Sequence, residues 1–302
     1  MTRALSVVLV LLASAPLPDQ QRPVFRARGD AVAVNVSVKN GNVPMAGLKA
    51  PDFRVLDNGV PQTISDISVE GVPIDLTLFV DTSTSFIGNL GDLKSALPKI
   101  AALLRPGDRV RLLAFDDEVD ELVPWTEAAV PLDLTGLHNA RISAVYDGLA
   151  ASLIYQPDPN RRHLIVAMTD GFDYNSAVSS ARLLDISGHI EGVLHLIIIG
   201  SRVPPRDDAP FEPIMRGPDA LGMDRLRTVA ERTGGKMYAP LFGTGDVVKA
   251  FSQVLDDFRA SYVLRYTPTN VAREGWHDLK VDVPAAPRAT IRARRGYTGS
   301  AP

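Results

Sequence analysis

Ile74-Asp75-Leu76-Thr77-Leu78-Phe79-Val80-Asp81-Thr82-Ser83-Thr84-Ser85 is the stretch on which the fold turns. Residues 74–80 form a short, almost continuous apolar run, interrupted only by Asp75 and Thr77, of the kind that suits a strand buried on both faces of a sheet. The run stops at a carboxylate. Beyond it, Asp81, Ser83 and Ser85 recur at alternate positions, so a turning loop can aim a carboxylate and two hydroxyls at one point.

Outward from this stretch the pattern repeats. Leu90, Leu93, Leu97, Ile100 and Leu104 fall at helical spacing and are stopped by Pro106-Gly107, with Pro98 as a possible site of a kink. Residues 109–115 and 118–123 read as strands joined at Asp116-Asp117, and Val145, Leu149 and Leu153 mark a helix. Residues 163–168 form a second buried strand that again ends near an aspartate, Asp170, ahead of Gly171. A helix through Ala181, Leu184 and Ile190, a strand at 193–199, a charged, proline-rich loop at 200–218 and a helix at 221–232 follow. A strand at 236–239 leads to a last helix with Val247, Phe251, Val254 and Phe258 on one face. Strands alternating with helices imply parallel strands and right-handed crossovers. The expectation over residues 73–260 is an α/β fold with a doubly wound, mostly parallel sheet.

The flanks read differently. Within residues 23–72, Val32, Val34, Val36 and Val38 alternate with polar residues, and Asn40-Gly41 and Asp57-Asn58-Gly59 supply turns, as in antiparallel hairpins. Residues 261–298 return to strand patterning at 262–266, 279–283 and 291–295. Because the ends of an inserted domain usually lie close together, the two flanks are expected to pack as one small, sandwich-like β unit. Residues 1–20 have the layout of a secretory signal: Arg3, an apolar run at 4–13, and the small-x-small pattern Ala13-Ser14-Ala15. An exported protein, periplasmic or extracellular, is the expectation. That run is shorter than the ~20 residues of a membrane span, and no later run is longer, so no transmembrane span is expected in the mature chain.

Composition narrows the chemistry. A chain of 302 residues has room for one large unit and one smaller one, and 45% hydrophobic with 22% charged residues is globular. A net charge of −3 provides no field for nucleic acid phosphates. With no cysteine, disulfides, thiolate metal sites and cysteine nucleophiles are excluded. His138, His163, His189, His195 and His277 lack His-Glu-x-x-His spacing, and His195 sits within an apolar strand as a core residue would. No Gly-x-Ser-x-Gly elbow is present, and Gly234-Gly235-Lys236 lacks the spacing of a phosphate loop.

In an open α/β sheet, ligands collect beyond the carboxyl ends of the strands where the winding reverses. Asp81 and Asp170 are expected there, and Ser143, at the start of the helix preceding the second strand, can reach the same place. Asp81, Ser83, Ser85, Ser143 and Asp170 offer two carboxylates and three hydroxyls. Such an all-oxygen set favours Mg²⁺, with Mn²⁺ or Ca²⁺ able to substitute, over Zn²⁺. Blander readings stand beside this one: Asp81, Ser83 and Ser85 capping the following helix, Ser143 capping its own, and Asp170-Gly171 as a plain turn.

Asp81-Thr82-Ser83-Thr84-Ser85 resembles the Asp-x-Ser-x-Ser motif of the metal-ion-dependent adhesion site of von Willebrand factor A domains. Ser143-Ala144-Val145-Tyr146-Asp147 is similar to the Thr-Ala-Leu-Tyr-Asp stretch of many bacterial members, and Met168-Thr169-Asp170-Gly171 to their second acidic loop. Pro51-Asp52-Phe53-Arg54-Val55 and Arg294-Arg295-Gly296-Tyr297 resemble the extensions of a bacterial subfamily of exported A-domain-related proteins. Two features depart from the pattern: Ser143 replaces the usual threonine, and Arg141-Ile142 stand where glycines are common. The resemblance implies direct coordination by Ser83, Ser85 and Ser143, with Asp81 and Asp170 acting mainly through water. The function it implies is a non-enzymatic adhesion or scaffold module that recognises an acidic group on a protein partner. Metal-assisted hydrolysis and a structural A-type fold with an empty site are the alternatives.

Overall fold

The computed structural model describes residues 31–299 except 70, 129, 139–140, 155–157, 159 and 201–219. The secretory signal expected at 1–20, the beginning of the first flank and the charged loop after Gly200 lie outside the described residues. The chain opens with β1 (Val32–Asn40), β2 (Val43–Pro44), β3 (Arg54–Asp57), β4 (Val60–Gln62) and β5 (Ile64–Ser68). Then come β6 (Ile74–Asp81), a 3-10 turn (Thr84–Asn89), α1 (Leu90–Ala101), β7 (Arg109–Phe115), β8 (Val119–Glu127) and α2 (Val145–Leu153). β9 (Arg162–Thr169), α3 (Ser180–Gly188), β10 (Val193–Ile199), α4 (Ala220–Arg232), β11 (Met237–Leu241) and α5 (Thr244–Arg259) follow. The chain closes with β12 (Tyr262–Tyr266), β13 (Gly275–Asp282), β14 (Thr290–Ala293) and β15 (Gly296–Gly299).

The apolar runs become the middle of a six-stranded sheet in the order β11-β10-β9-β6-β7-β8. All neighbours are parallel except the edge strand β8, which is antiparallel to β7. Every residue of β6 and β9 is buried, which is why their sequences do not alternate. Side chains of β6 still point to opposite faces. Leu76, Leu78 and Val80 pack with Leu93 and Leu97 of α1 and with Phe251 and Val254 of α5. Phe79 packs on the other side with Leu149 of α2, Leu183 of α3 and Leu226 of α4. The architecture is mixed α/β, and β7 and β9 flank β6 on opposite sides, so the loops leaving β6 and β9 diverge at neighbouring carboxyl ends.

The polar residues that interrupt the apolar runs are paired inside. Asp75 accepts from Arg109 Nε (3.0 Å) and Nη2 (2.6 Å) and from Arg161, while Thr77 accepts from Arg111 Nε (2.9 Å). Gly148 lets α2 lie directly on the stacked rings of Phe79 and Phe115, whose centroids are 4.4 Å apart. A Cβ at this position would sit 2.5 Å from Phe79. Gly148→Ala is therefore expected to cost about 1–3 kcal/mol in urea unfolding, because the stacked pair cannot shift without disturbing the sheet. An unchanged midpoint would show that α2 lifts freely.

The strands before and after the central sheet pair with one another. β1 runs antiparallel to β12, with Val36 opposite Tyr262, and to β14. β12 also pairs with β5, where Val263 lies opposite Ser68, and a second sheet has the order β15-β13-β3-β4. Val34, Val36, Tyr262 and Leu264 of the first sheet meet Val55, Leu279 and Val281 of the second in one core. Arg162, buried at the start of β9, reaches across to this part of the chain. Its Nη2 donates to Asn35 Oδ1 (3.1 Å), Phe258 O (2.7 Å) and Ser261 Oγ (2.6 Å). Burial pushes its guanidinium down to about 10.

Several boundaries differ from the sequence expectation. α1 continues through Pro98 but stops at Ala101, short of Leu104, and α3 stops at Gly188, short of Ile190. β8 runs past Val123 to Glu127. It tolerates Pro124 because an edge strand has one side free of ladder bonds. No helix among the described residues is long and apolar enough to cross a membrane.

Candidate metal centre

Three loops converge at the carboxyl ends of β6, β7 and β9, held together by main-chain hydrogen bonds. Thr82 N donates to Phe115 O (2.8 Å), Thr84 N to Arg141 O (2.9 Å) and Ala144 N to Asp116 O (2.8 Å). Tyr174 N (2.9 Å) and Asn175 N (3.2 Å) both donate to Ser143 O, tying the loop after β9 to the start of α2. Arg141, where the resemblance leads one to expect glycine, is an exposed anchor whose Nη1 lies 2.9 Å from Glu118 and 3.3 Å from Asp117. Its backbone carbonyl still serves the loop of Thr84.

Within this frame Asp81 is wholly buried. Its Oδ1 accepts from Ser83 N (2.9 Å) and Ser83 Oγ (2.5 Å), and its Oδ2 accepts from Thr169 Oγ1 (2.6 Å). Ser83 Oγ lies 3.1 Å from Ser85 Oγ, and because Ser83 donates its hydrogen to Asp81, Ser85 is the donor between the two. Asp170 Oδ1 accepts from Phe172 N (3.2 Å). Thr169, Asp81, Ser83 and Ser85 thus form one polar chain that joins the ends of β6 and β9, with Asp170 close enough to act on Asp81 by its charge. Two polar atoms are left over: Ser143 Oγ and Asp170 Oδ2 are buried without a hydrogen-bond partner among the described residues.

The capping readings are corrected by these contacts. Ser83 stands at the N-cap of the 3-10 turn but its side chain makes no capping bond, because its hydroxyl is turned to Asp81. The N-cap of α2 is Ala144, not Ser143. The open amides of α2 are taken instead by Ser176 Oγ, which accepts from Tyr146 N (3.0 Å) and Asp147 N (3.2 Å). Asp173 Oδ1 accepts a longer bond from Tyr146 N (3.3 Å). Ser143 is thereby relieved of capping. The turn at Asp170-Gly171 does occur, with Gly171 at φ 82° and its N–H on Thr169 Oγ1 (2.9 Å). Turning the chain and presenting a carboxylate are here one arrangement.

Burial, reinforced by the negative charge of Asp170, pushes the Asp81 carboxyl up to about 7, against the bonds from Ser83 and Thr169 that favour its ionised form. Burial also raises Asp170. No lysine, arginine or histidine among the described residues pairs with either group. Two buried carboxylates and three hydroxyls, with one oxygen of each kind unspent, are a donor set that suits a hard divalent cation with water in its shell, not zinc. No group of three or more acidic or histidine side chains converges among the described residues, so hydroxyls have to supply the rest of any such shell. Thr169, which fixes Asp81 from the neighbouring strand, was not singled out from the sequence; the signal available was a hydroxyl immediately before the second aspartate.

No protein-family model and no curated protein matches the chain. Among solved structures, it is similar to a von Willebrand factor type A protein from Catenulispora acidiphila, at 13% identity over 91% of this chain and 75% of that one, with a TM-score of 0.50. It also matches the conserved hypothetical protein BatB from Bacteroides thetaiotaomicron (15% identity, 61% of this chain and 98% of that one, TM-score 0.43). A third match is the PilB minor pilin from Streptococcus sanguinis (15% identity, 64% and 63% covered, TM-score 0.44). The first of these likenesses is one of fold, and it makes the fold of this chain von Willebrand factor A-like.

Proposed function

We propose that this von Willebrand factor A-like chain is a binding module of the adhesion or scaffold kind, not an enzyme, built on a doubly wound, mostly parallel sheet. Asp81, Ser83, Ser85, Ser143 and Asp170 would hold one divalent cation, Mg²⁺ by the chemistry of its donors, with Mn²⁺ or Ca²⁺ as substitutes. When bound, the cation supplies an electrophilic position that a carboxylate of a partner protein completes. The observation that carries this reading is the pair of unspent buried oxygens, Ser143 Oγ and Asp170 Oδ2, in a wall whose other polar groups are bonded. A buried hydroxyl and a buried carboxylate oxygen left without partners each cost free energy that an ion or its water recovers.

The remaining residues orient this set. Thr169 and Ser83 hold both oxygens of Asp81, and Ser176 frees Ser143 by capping α2 in its place. Metal-assisted hydrolysis would need a base beside the metal, and the idle carboxylate oxygen at the site, Asp170 Oδ2, is the one assigned to the cation. Asp81 has both oxygens engaged. An exported setting, periplasmic or extracellular, belongs to the proposal through the leader-like pattern of residues 1–20.

Ser143→Ala tests the ligand set. Its hydroxyl makes no bond among the described residues, so the variant should unfold at the same urea concentration as the wild type, yet bind Mg²⁺ about tenfold or more weakly by calorimetry. Equal affinity in the two proteins would remove Ser143 from the site, and no Mg²⁺ binding by either would leave only the structural reading. Partner chemistry is tested with arrayed peptides. Capture should require both Mg²⁺ and a Glu or Asp, and should be lost on Glu→Gln replacement; capture that persists in chelator would overturn acidic-group recognition.

A further inference from the structure

A cavity of about 300 Å³ lies between the carboxyl end of α3 and the sandwiched strands, away from the loops that carry Asp81 and Asp170. Its wall contains Arg294 and Tyr297 of the Arg-Arg-Gly-Tyr motif, together with His277. Arg294 is only 7% exposed. Its Nε donates to Gly296 O (2.9 Å) and its Nη2 to Gly188 O (3.2 Å), at the end of α3. Nη1 has no partner, and no carboxylate pairs with the guanidinium, among the described residues. His277 is 1% exposed and its Nδ1 lies 2.8 Å from Asp57 Oδ1. A carboxylate only accepts, so Nδ1 donates; Nε2, the other polar atom of the ring, is buried without a partner among the described residues.

A fastening role for Arg294, clamping β15 to α3, accounts for Nε and Nη2. It does not account for the cavity that Arg294 lines. Val32, Ala33, Ile190 and Pro268 give the cavity wall an apolar portion. Arg273 and Glu191, both exposed, also line the space, and although the charge of Glu191 acts on Arg294, the two arginines leave the wall one positive charge in excess. That single excess charge matches a single negative charge better than a phosphate dianion, and the planar N–H groups of a guanidinium suit a carboxylate. We propose that this cavity is a second binding site, for a small monocarboxylate with an apolar body whose carboxylate rests on Arg294. The size is at the lower end for small-molecule sites. The site stands independently of the metal reading.

Hexanoate is the probe, titrated into the full chain and followed by calorimetry and amide NMR shifts. One saturable site is expected, with hexanol, which keeps the apolar body and lacks the charge, about tenfold or more weaker. Inorganic phosphate should bind more weakly than hexanoate. Arg294→Gln, and separately Ala272→Trp at the exposed wall of the cavity, should each weaken hexanoate about tenfold or more while Mg²⁺ titrations stay as in the wild type. If Arg294→Gln does not fold, Ala272→Trp carries the test alone. The site is overturned by absence of saturable binding, by hexanol or phosphate binding as tightly as hexanoate, or by full affinity in Ala272→Trp. A failure of Mg²⁺ binding in the wild type, with hexanoate binding intact, would sink the metal centre and leave this site standing.

Discussion

Asp81→Asn is expected to stabilise the metal-free protein while abolishing its Mg²⁺ binding. In the unfolded chain this carboxyl ionises near its ordinary 3.8, whereas in the folded chain burial and Asp170 hold its proton to about 7. Between those values the folded state binds more protons than the unfolded state, so metal-free stability falls as pH rises from about 4 to about 7 and levels off above. A displacement of this size is worth on the order of 4 kcal/mol at pH 8. Asparagine carries no charge at any pH, and it can keep the Ser83 bonds on Oδ1 while donating to Thr169 Oγ1 from Nδ2. In chelator at pH 8, Asp81→Asn should therefore unfold at higher temperature than the wild type, with a flatter pH dependence below 7. Wild-type stabilisation by Mg²⁺ should be larger at pH 8 than at pH 5, because at the lower pH the ion must displace a proton. Lower stability of the variant in chelator at pH 8, or equal stabilisation of both proteins by Mg²⁺, would contradict the electrostatic account. A change that strengthens the fold and removes the site in one step is characteristic of strain kept for binding.

Asp57→Ala should be among the most damaging single substitutions in the chain. The carboxylate is wholly buried and accepts from His277 Nδ1 (2.8 Å), Tyr266 Oη (2.8 Å) and Tyr297 Oη (2.8 Å). These partners come from β12, β13 and β15, so one side chain joins the two facing sheets. Burial and the bond to Asp57 push both phenols well above their ordinary range, which keeps them as donors. Truncation strands two buried polar groups and the half-buried Tyr297 hydroxyl, each buried group worth about 1–3 kcal/mol when unsatisfied, and a loss of about 3–5 kcal/mol is expected. Urea unfolding followed by near-ultraviolet circular dichroism of Tyr266 and Tyr297 measures it. Asp57→Asn, which keeps an acceptor, should lose less; equal losses in the two variants, or a midpoint within error of the wild type, would show that the network contributes little.

The fold was legible where burial imposes a simple pattern. Residues 74–80 and 193–199 read as buried strands because both faces of the sheet are covered, and Val32, Val34 and Val36 alternate because one face of β1 meets a core. Polar interruptions were opaque for a physical reason: Asp75 and Thr77 are tolerated in β6 only because Arg109 and Arg111 of β7, and Arg161 just before β9, arrive to meet them. At the site, Asp81 and Asp170 could be paired from their positions at strand ends. Ser143 could not be separated from a helix cap, because the decision rests on Ser176 and Asp173, which reach α2 from across the loop. His277 offered no motif at all, since its partner Asp57 lies 220 positions away.

Opposite Val263 in the antiparallel ladder stands Ser68, so the chain enters and leaves the six-stranded sheet through adjacent rungs. Tension drawn along the flanking strands would pass from β5 straight into β12 across those rungs, bypassing the helices between. The proposed metal centre would then hang beside the line of force like a pendant on a rope, keeping its geometry while the flanks bear the load.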